Sequence, residues 1–330
     1  MSLAAIRAKL AAQEAKSNPQ SNTQYTSDNA IYPFWNMDEN TTTILRFLPD
    51  ADGSNEFFWV ERNLITLEFS GIKGQSSNSK VYVKVPCMEM YGKDVPCPIL
   101  SEVRTWYKDE SLKTIANKYW KKRTYIFQGF VRDSKMKEDS LPENPIRRFI
   151  ISPQIYGVIK NSLMDPDIRE NPTHALEGLD FKIIKSSKGG YADYSTSGWA
   201  RKESALTEAE QDAISKHGLF NLKDFLPKRP SESELRIIKD MFDASVNGEE
   251  YDTDKWGTYF RPRGVQASNG VVDHDDDSYV AVPRQQVSTP VVDEDEEPVV
   301  TSEVKVTTPQ VSDSTANILA MIRSKKTAQA

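Results

Sequence analysis

The chain has 330 residues, of which 38% are hydrophobic, enough for one large folded domain or two small ones. Its net charge of −6 argues at first against a nucleic-acid-binding protein, but the charge is unevenly distributed. Residues 80–202 carry 22 Lys and Arg against 15 Asp and Glu, whereas residues 265–330 carry 5 against 11. The sequence therefore predicts a basic body joined to an acidic tail, a division that the total charge conceals.

Several classes of protein are disfavoured by what the sequence does not contain. No apolar run approaches the ~20 residues that span a bilayer, and no signal-peptide core is present at the N-terminus, so we expect no membrane partner. Two cysteines, Cys87 and Cys97, fit a reducing cytoplasm better than a disulfide scaffold. The three histidines His174, His217 and His274 lie in unrelated contexts, and no phosphate-binding loop or serine elbow occurs, so we predict a binding protein and not an enzyme.

The N-terminal unit, residues 1–28, reads as a short helix followed by a linker. Residues 2–16 are strong helix formers, and Leu3, Ile6 and Leu10 recur at helical spacing. Isolated helices of about 12–15 residues are marginal in water, so we expect this one to order on a partner surface.

The folded body is predicted to span residues 29–264. Alternating β-branched and aromatic residues predict strands over 41–49, 57–62, 80–85, 124–132, 147–151 and 179–185. Helix formers predict a helical insertion over 98–120, a helix over 153–164, and two further helices behind capping boxes at 207–210 and 231–234. Several short strands with turn signals favour a small sandwich or barrel, so the fold class is α+β.

The C-terminal unit, residues 265–330, is expected to be a disordered acidic tail. Acidic runs at 275–277 and 293–297 carry no apolar periodicity. Residues 318–325 repeat the pattern of residues 3–9. This echo is either chance similarity between short Ala-rich helices or a sign that both ends compete for one docking groove.

A basic and aromatic stretch, residues 117–132, carries the strongest functional signal. Three cations, Lys121, Lys122 and Arg123, lie between aromatic residues on both sides: Tyr119, Trp120, Tyr125, Phe127 and Phe130. Single-stranded nucleic acid offers phosphates to cations and unpaired bases to aromatic rings. The alternative is that these rings belong to the core and the lysines to a solvated edge.

A second aromatic segment follows the last predicted strand. Tyr191, Tyr194 and Trp199 are spaced along a Gly/Ser-rich loop ahead of Arg201 and Lys202. Exposed rings on a partly basic loop predict a second stacking platform. Core packing of a long loop is the alternative.

The succession of motifs resembles the single-stranded DNA-binding, helix-destabilising proteins of T-even-type bacteriophages. The resemblance covers most of the chain: the Ala-rich basic N-terminus, Ile-Leu-Arg-Phe-Leu-Pro at 44–49, Lys-Gly at 73–74, a cysteine-bearing insertion with Cys-Pro-Ile-Leu at 97–100, the basic aromatic strand, Ile-Tyr at 155–156, Phe-Lys-Ile at 181–183 and the acidic tail. No single phrase decides it; their order does.

This resemblance implies an OB-fold-like β-barrel core, with helical insertions, whose cleft holds single-stranded DNA. It also implies self-association along DNA through residues 1–16, recruitment of replication and recombination proteins by the acidic tail, and work in the cytoplasm of the infected bacterial host. The expected function is cooperative binding of single-stranded DNA without strong sequence preference during phage replication, recombination and repair. The alternative is a scaffold protein whose basic patch binds an acidic protein partner or RNA.

Candidate DNA contacts come from two sources. The resemblance implies Arg46, Arg123, Tyr125, Arg148, Phe149, Tyr191 and Tyr194, with Tyr119 as a further ring. Side-chain chemistry alone adds Lys121, Lys122, Arg132, Arg147 and Trp199.

One departure from the family concerns its zinc site, which uses one histidine and three cysteines, the last two spaced Cys-x-x-Cys. Here Leu100 stands where the third cysteine would fall, and no histidine precedes His174. The two thiolates of Cys87 and Cys97 cannot complete a tetrahedral site that requires four nitrogen or sulfur ligands. We therefore predict no metal and no cofactor.

Overall fold

The computed structural model describes residues 29–75, 79–92, 94–138, 140–166, 168 and 171–262. The expectations for the N-terminal helix, the acidic tail and the echo at 318–325 lie outside these residues. Within the described ranges, no helix combines the length and the apolar composition needed to cross a membrane.

The described strands form one antiparallel sheet of eight strands. They are β1 Thr41–Phe47, β2 Trp59–Phe69, β3 Val81–Pro86, β4 Lys122–Asp133, β5 Arg147–Ile151, β6 Leu179–Lys188, β7 Tyr191–Asp193 and β8 Gly198–Glu203. The order across the sheet is β3-β2-β4-β1-β6-β7, with β5 also paired to β4 and β8 to β6. No pairing among these strands joins β3 to β7, so the described sheet is open. The described strands therefore do not form the closed barrel that the sequence favoured.

Six α-helices are described, which makes the fold mixed α+β as predicted. They are α1 Pro98–Trp106, α2 Lys113–Tyr119, α3 Pro153–Leu163, α4 Glu208–His217, α5 Glu232–Val246 and α6 Thr253–Trp256. Both predicted capping boxes are present: Thr207 and Glu210 start α4, and Ser231 and Glu234 start α5. In each box the hydroxyl and the carboxylate satisfy backbone N–H groups that the first turn leaves without a helical partner.

Two apolar clusters form the main core. One lies between β2, β3 and the helices α1, α2 and α5. The other packs the rings of Phe47, Phe127, Phe149 and Phe181 between the sheet and α3. Smaller clusters around Leu222 and Ala213 cover the opposite face of the sheet. Because both faces are covered, all five residues of β5 are buried.

Two segments differ from the sequence-based expectation. Strand β2 continues to Phe69, well past the predicted end at Arg62, because it pairs with β3 over Leu64–Phe69. The predicted loop after Lys188 forms β7 and β8 instead. Gly189 and Gly190 both have positive φ, 60° and 82°, which suits the tight two-residue turn joining β6 to β7.

Candidate nucleic-acid interface

Residues 122–132 of the basic aromatic stretch form most of strand β4, and pairing with β2 determines which side chains meet. The antiparallel register pairs Trp59 with Phe127, Glu61 with Tyr125, and Asn63 with Arg123. Since successive side chains of a strand alternate between faces, these six lie on one face of the sheet. The face therefore combines rings with charged groups.

An aromatic row of four rings runs along this face: Phe57, Trp59, Tyr156 and Tyr125. Neighbouring ring centroids are 4.8 Å apart from Phe57 to Trp59, 5.6 Å from Trp59 to Tyr156, and 3.5 Å from Tyr156 to Tyr125. Phe57 is 56% exposed, Trp59 and Tyr156 are half-buried, and Tyr125 is buried. Three of the four rings thus retain surface on which an unpaired base can stack.

The cationic triplet, Lys121 to Arg123, lies at the start of β4, where the aromatic row ends. Lys122 is exposed, and its ammonium donates to the carbonyl of Asn117 at 3.4 Å. The Lys121 ammonium lies 3.1 Å from a carboxylate oxygen of Glu89, and Arg123 Nε lies 3.6 Å from Glu61 Oε1. The Arg123–Glu61 pair is partly exposed and contributes little stability, so a phosphate can replace Glu61 at small cost. The Lys121–Glu89 pair is more buried, with 17% and 16% of the two side chains exposed.

Polar groups link the cationic triplet to the aromatic row. Arg123 donates a hydrogen bond to the Tyr125 hydroxyl. Burial raises the pKa of Tyr125 to about 12, against the opposing effect of that hydrogen bond. The Asn63 amide donates to Glu61 Oε1 at 2.7 Å and so orients the carboxylate. A carboxylate and a guanidinium are therefore held side by side next to Tyr125.

Tyr191 lies on a separate projection, the β6–β7 hairpin, and is 58% exposed. Helix α3 holds the base of this hairpin. The Gln154 side chain donates to Asp193 Oδ1 at 2.7 Å and accepts from the Tyr194 backbone N–H at 3.1 Å. Because Tyr156 is on the same helix, α3 contacts both predicted aromatic segments.

Three other predicted stacking rings are corrected by their positions, and a fourth, Trp199, stays a prediction. Tyr119 is only 2% exposed, and its hydroxyl is hydrogen-bonded to Ser245 Oγ at 3.0 Å. Phe149 and Tyr194 are buried, and Trp199 packs edge-on against Phe181 with 5.0 Å between ring centroids. A base cannot reach the first three in this fold, so we withdraw them from the stacking set. Trp199 is half-buried, as Trp59 and Tyr156 are, and stays a prediction.

Two of the predicted phosphate ligands support the fold instead. Arg46 is fully buried, and its guanidinium donates to the carbonyls of Pro172, at 2.8 Å, and His174. Burial lowers the pKa of Arg46, and the charge of Arg132 lowers it further. Arg147 is also buried and pairs with Glu138 at 2.6 Å. Neither guanidinium is presented to a ligand.

Arg132 and Arg148 are likewise engaged inside the protein. Arg132 lies 2.7 Å from carboxylate oxygens of both Asp180 and Glu210, and so ties β4 to β6 and α4. The guanidinium of Arg148 lies 3.8 Å from the ring centroid of Phe225 and is buried. Burial lowers the pKa of Arg148 to about 10. The expectation that these two residues contact phosphates is therefore corrected.

Sequence reasoning missed three members of the aromatic row as site residues: Phe57, Trp59 and Tyr156. The consecutive aromatic residues at 57–59 were a usable signal of an exposed ring. Neighbouring side chains of a strand point to opposite faces, so three in a row cannot all enter a core on one face of the sheet. Tyr156 adjoins Ile155, which belongs to the apolar stripe of α3, and pattern alone does not reveal that its ring reaches β4.

The two cysteines are brought into contact within the helical half of the core. Both thiols are buried and reduced, and they hydrogen-bond to each other. The Cys87 thiol and the backbone N–H groups around the start of α1 lower the pKa of Cys97, against the opposing effect of burial. Within the part of the chain that is described, no group of three or more His, Cys, Asp or Glu side chains could hold a metal ion. Two ligands do not fit a structural zinc site.

The chain matches no protein-family model, and a search of curated protein sequences gives no significant match.

Proposed function

We propose that the protein binds single-stranded DNA along the aromatic row and the cationic triplet, without catalysing a reaction. One observation carries this proposal: partly exposed rings in mutual contact lie on the same sheet face as Arg123, and Lys121 and Lys122 directly precede Arg123 in the chain. Rings and cations alternate in proteins that bind single strands, because bases stack on the rings while the backbone follows the charges.

The proposed mode of binding assigns different roles to the two groups. Phosphates lie against Lys121, Lys122 and Arg123 and release their counterions, which makes the affinity fall with salt. Bases stack on Phe57, Trp59 and Tyr156, each stack contributing roughly 1–3 kcal/mol. Duplex DNA binds less well because its bases are already stacked on each other.

The proposal also includes the more specific expectations about the barrel, the N-terminus and the tail that the sequence raised. The antiparallel sheet would be the OB-fold-like core, residues 1–16 would mediate self-association along the strand, and the acidic tail would recruit replication and recombination proteins. The resemblance to phage helix-destabilising proteins supports these roles.

A direct test compares a labelled mixed-sequence single strand with its duplex at low salt, using fluorescence anisotropy. We expect the single strand to bind more tightly, and Tyr156→Ala to weaken binding while Tyr156→Phe does not. Equal affinity for the duplex would contradict the stacking mechanism. Binding of an acidic polypeptide such as polyglutamate, with no binding of the single strand, would favour the scaffold alternative.

A further inference from the structure

We infer that the bound single strand continues past the cationic triplet onto the helical insertion, where a base stacks on Trp120 and a phosphate contacts Arg104. This inference rests on the proposed function, because it extends the same binding surface. It adds a second stacking position, which the cations separate from the aromatic row, and it gives the helical insertion a direct part in binding.

The starting observation is one carboxylate that contacts two cations. Glu89 Oε1 lies 2.6 Å from Arg104 Nη2, and Glu89 Oε2 lies 3.1 Å from the ammonium of Lys121. Lys121 is the first member of the cationic triplet, whereas Arg104 belongs to α1. A cation of the helical insertion is therefore joined to the triplet through a shared partner.

Arg104 is the accessible member of this group. Its side chain is 52% exposed, against 17% for Lys121 and 16% for Glu89. Two positive charges and one negative charge leave a net charge of +1 on the three groups. Because a guanidinium carries several N–H donors in a fixed fork, Arg104 can donate to a phosphate while it keeps its contact with Glu89.

Trp120 lies next to this cation and retains part of its ring surface. The guanidinium carbon of Arg104 lies 5.8 Å from the centroid of the Trp120 ring, and Trp120 is half-buried. Its extended backbone, with φ −70° and ψ 149°, leads the chain from α2 into β4. A ring beside a guanidinium suits a single strand, because cation–π attraction from Arg adds to base stacking.

Two further contacts hold the Trp120 ring in place. The ring of Tyr107 meets it at 89° with 5.2 Å between centroids, and the Tyr107 hydroxyl donates to Asn117 Oδ1 at 2.7 Å. Trp120 also packs on the apolar cluster of the helical half of the core. That packing accounts for the buried part of the ring, and the exposed part stays available to a base. Fixing the ring before binding lowers the entropic cost of stacking a base on it.

The position of Trp120 determines the direction of the bound strand. At about 3.3 Å per residue of extended chain, Trp120 lies at most about 17 Å from Tyr125, at the opposite end of the cationic triplet from the aromatic row. A strand that stacks on Trp120 and on the aromatic row must therefore cross the triplet. Its phosphates are then placed where the cations are.

The first experiment tests stacking with a single strand of about 16 nucleotides, the upper end of the range for one binding fold. Trp120→Leu keeps an apolar side chain against the core but removes the flat ring. It should weaken binding about 5-fold to 150-fold, the range for one lost base stack. Trp120→Phe keeps a ring and should lose less, and urea unfolding checks that both variants are folded. Equal affinity in the two variants would overturn the stacking of a base on Trp120.

The second experiment tests the phosphate contact through the salt dependence of binding. Arg104→Gln should make the slope on logarithmic axes shallower by about 0.7, the contribution of one phosphate contact. Lys216→Gln is the matched control, because it removes an exposed cation from α4, which packs on the opposite face of the sheet. This control should leave the slope unchanged.

The Glu89→Gln background separates a direct contact from an effect through the shared carboxylate. In that background Arg104→Gln should still make the slope shallower. An unchanged slope would overturn the inference and leave the proposed function intact, because Tyr156→Ala and Arg123→Gln would still weaken binding. No binding of any strand by the unaltered protein would contradict the proposed function itself.

Discussion

The ring of Tyr125 lies face to face with the ring of Tyr156, with 3.5 Å between centroids and 12° between planes. Tyr125 belongs to β4 and is 4% exposed, whereas Tyr156 belongs to α3 and is half-buried. A strand and a helix thus contribute one ring each to this aromatic stack, and the more exposed ring is the one on the helix. Tyr156 is therefore the member of the pair that can meet a base, and Tyr125 supports it from below.

The first prediction concerns this stack. Tyr156→Ala should weaken binding of a single strand by about 1–3 kcal/mol, the range for one lost base stack. Tyr156→Phe keeps the ring and should bind within about twofold of the unaltered protein, which anisotropy titrations of both variants would show. Equal loss in the two variants would point to the hydroxyl and away from stacking.

Trp59 provides a spectroscopic prediction. Its ring contacts Phe57, Phe127 and Tyr156, so a base stacked on the row should quench its fluorescence. Trp59→Phe should remove most of the quenching seen on adding a single strand. Trp106→Phe, a change at a buried ring in the helical half of the core, should leave the quenching in place. If the quenching persisted in Trp59→Phe, the single strand would bind at a different surface of the protein.

Arg132 should matter for stability and not for DNA binding. Arg132→Met leaves the carboxylates of Asp180 and Glu210 without their cation, which should cost about 3 kcal/mol, the lower end of the range for a broken buried pair. Urea unfolding measures this loss, and the folded variant should keep its DNA affinity. Arg123→Gln should show the opposite pattern, with little change in stability, because its ion pair with Glu61 is partly exposed, and with weaker DNA binding. Weaker DNA binding by folded Arg132→Met would indicate that Arg132 contacts the DNA.

Alkaline pH should destabilise the protein through its buried tyrosines. Burial raises the pKa of Tyr119, Tyr125 and Tyr251 to about 12, whereas unfolded tyrosine titrates near pH 10. Between these values the unfolded chain loses protons that the folded chain keeps, so stability is fully present below about pH 10 and falls as pH rises towards 12. Urea unfolding near pH 9 and near pH 11 should show a loss that is smaller in Tyr119→Phe, and equal stability at both pH values would contradict the burial.

Much of the fold could be predicted because its signals are local. Alternation identified the positions of β1, β3, β4, β5 and β6, and the capping boxes identified where α4 and α5 begin. The helical insertion was also predicted, as α1 and α2. These features depend on residues within a few positions of each other, which a single sequence contains.

The candidate site was less predictable because exposure depends on what packs on each face. Alternation in β5 would leave one face open, yet α3 covers one side and the Phe220–Phe225 segment covers the other. Arg147 and Arg148 are consequently both buried, although consecutive arginines usually indicate a surface. Tyr156 shows the opposite case, since its ring stacks on that of Tyr125, a residue 31 positions earlier in the chain and on a different element.

The salt dependence of single-strand binding tests the central claim most directly. The affinity for a mixed-sequence single strand should fall linearly on logarithmic axes as salt rises, because each phosphate contact contributes a slope of about −0.7. Arg123→Gln removes the cation that shares a sheet face with the aromatic row and should make the slope shallower by about that amount. No binding at low salt, or a slope unchanged by Arg123→Gln, would contradict the account of this surface as the site where the DNA backbone lies.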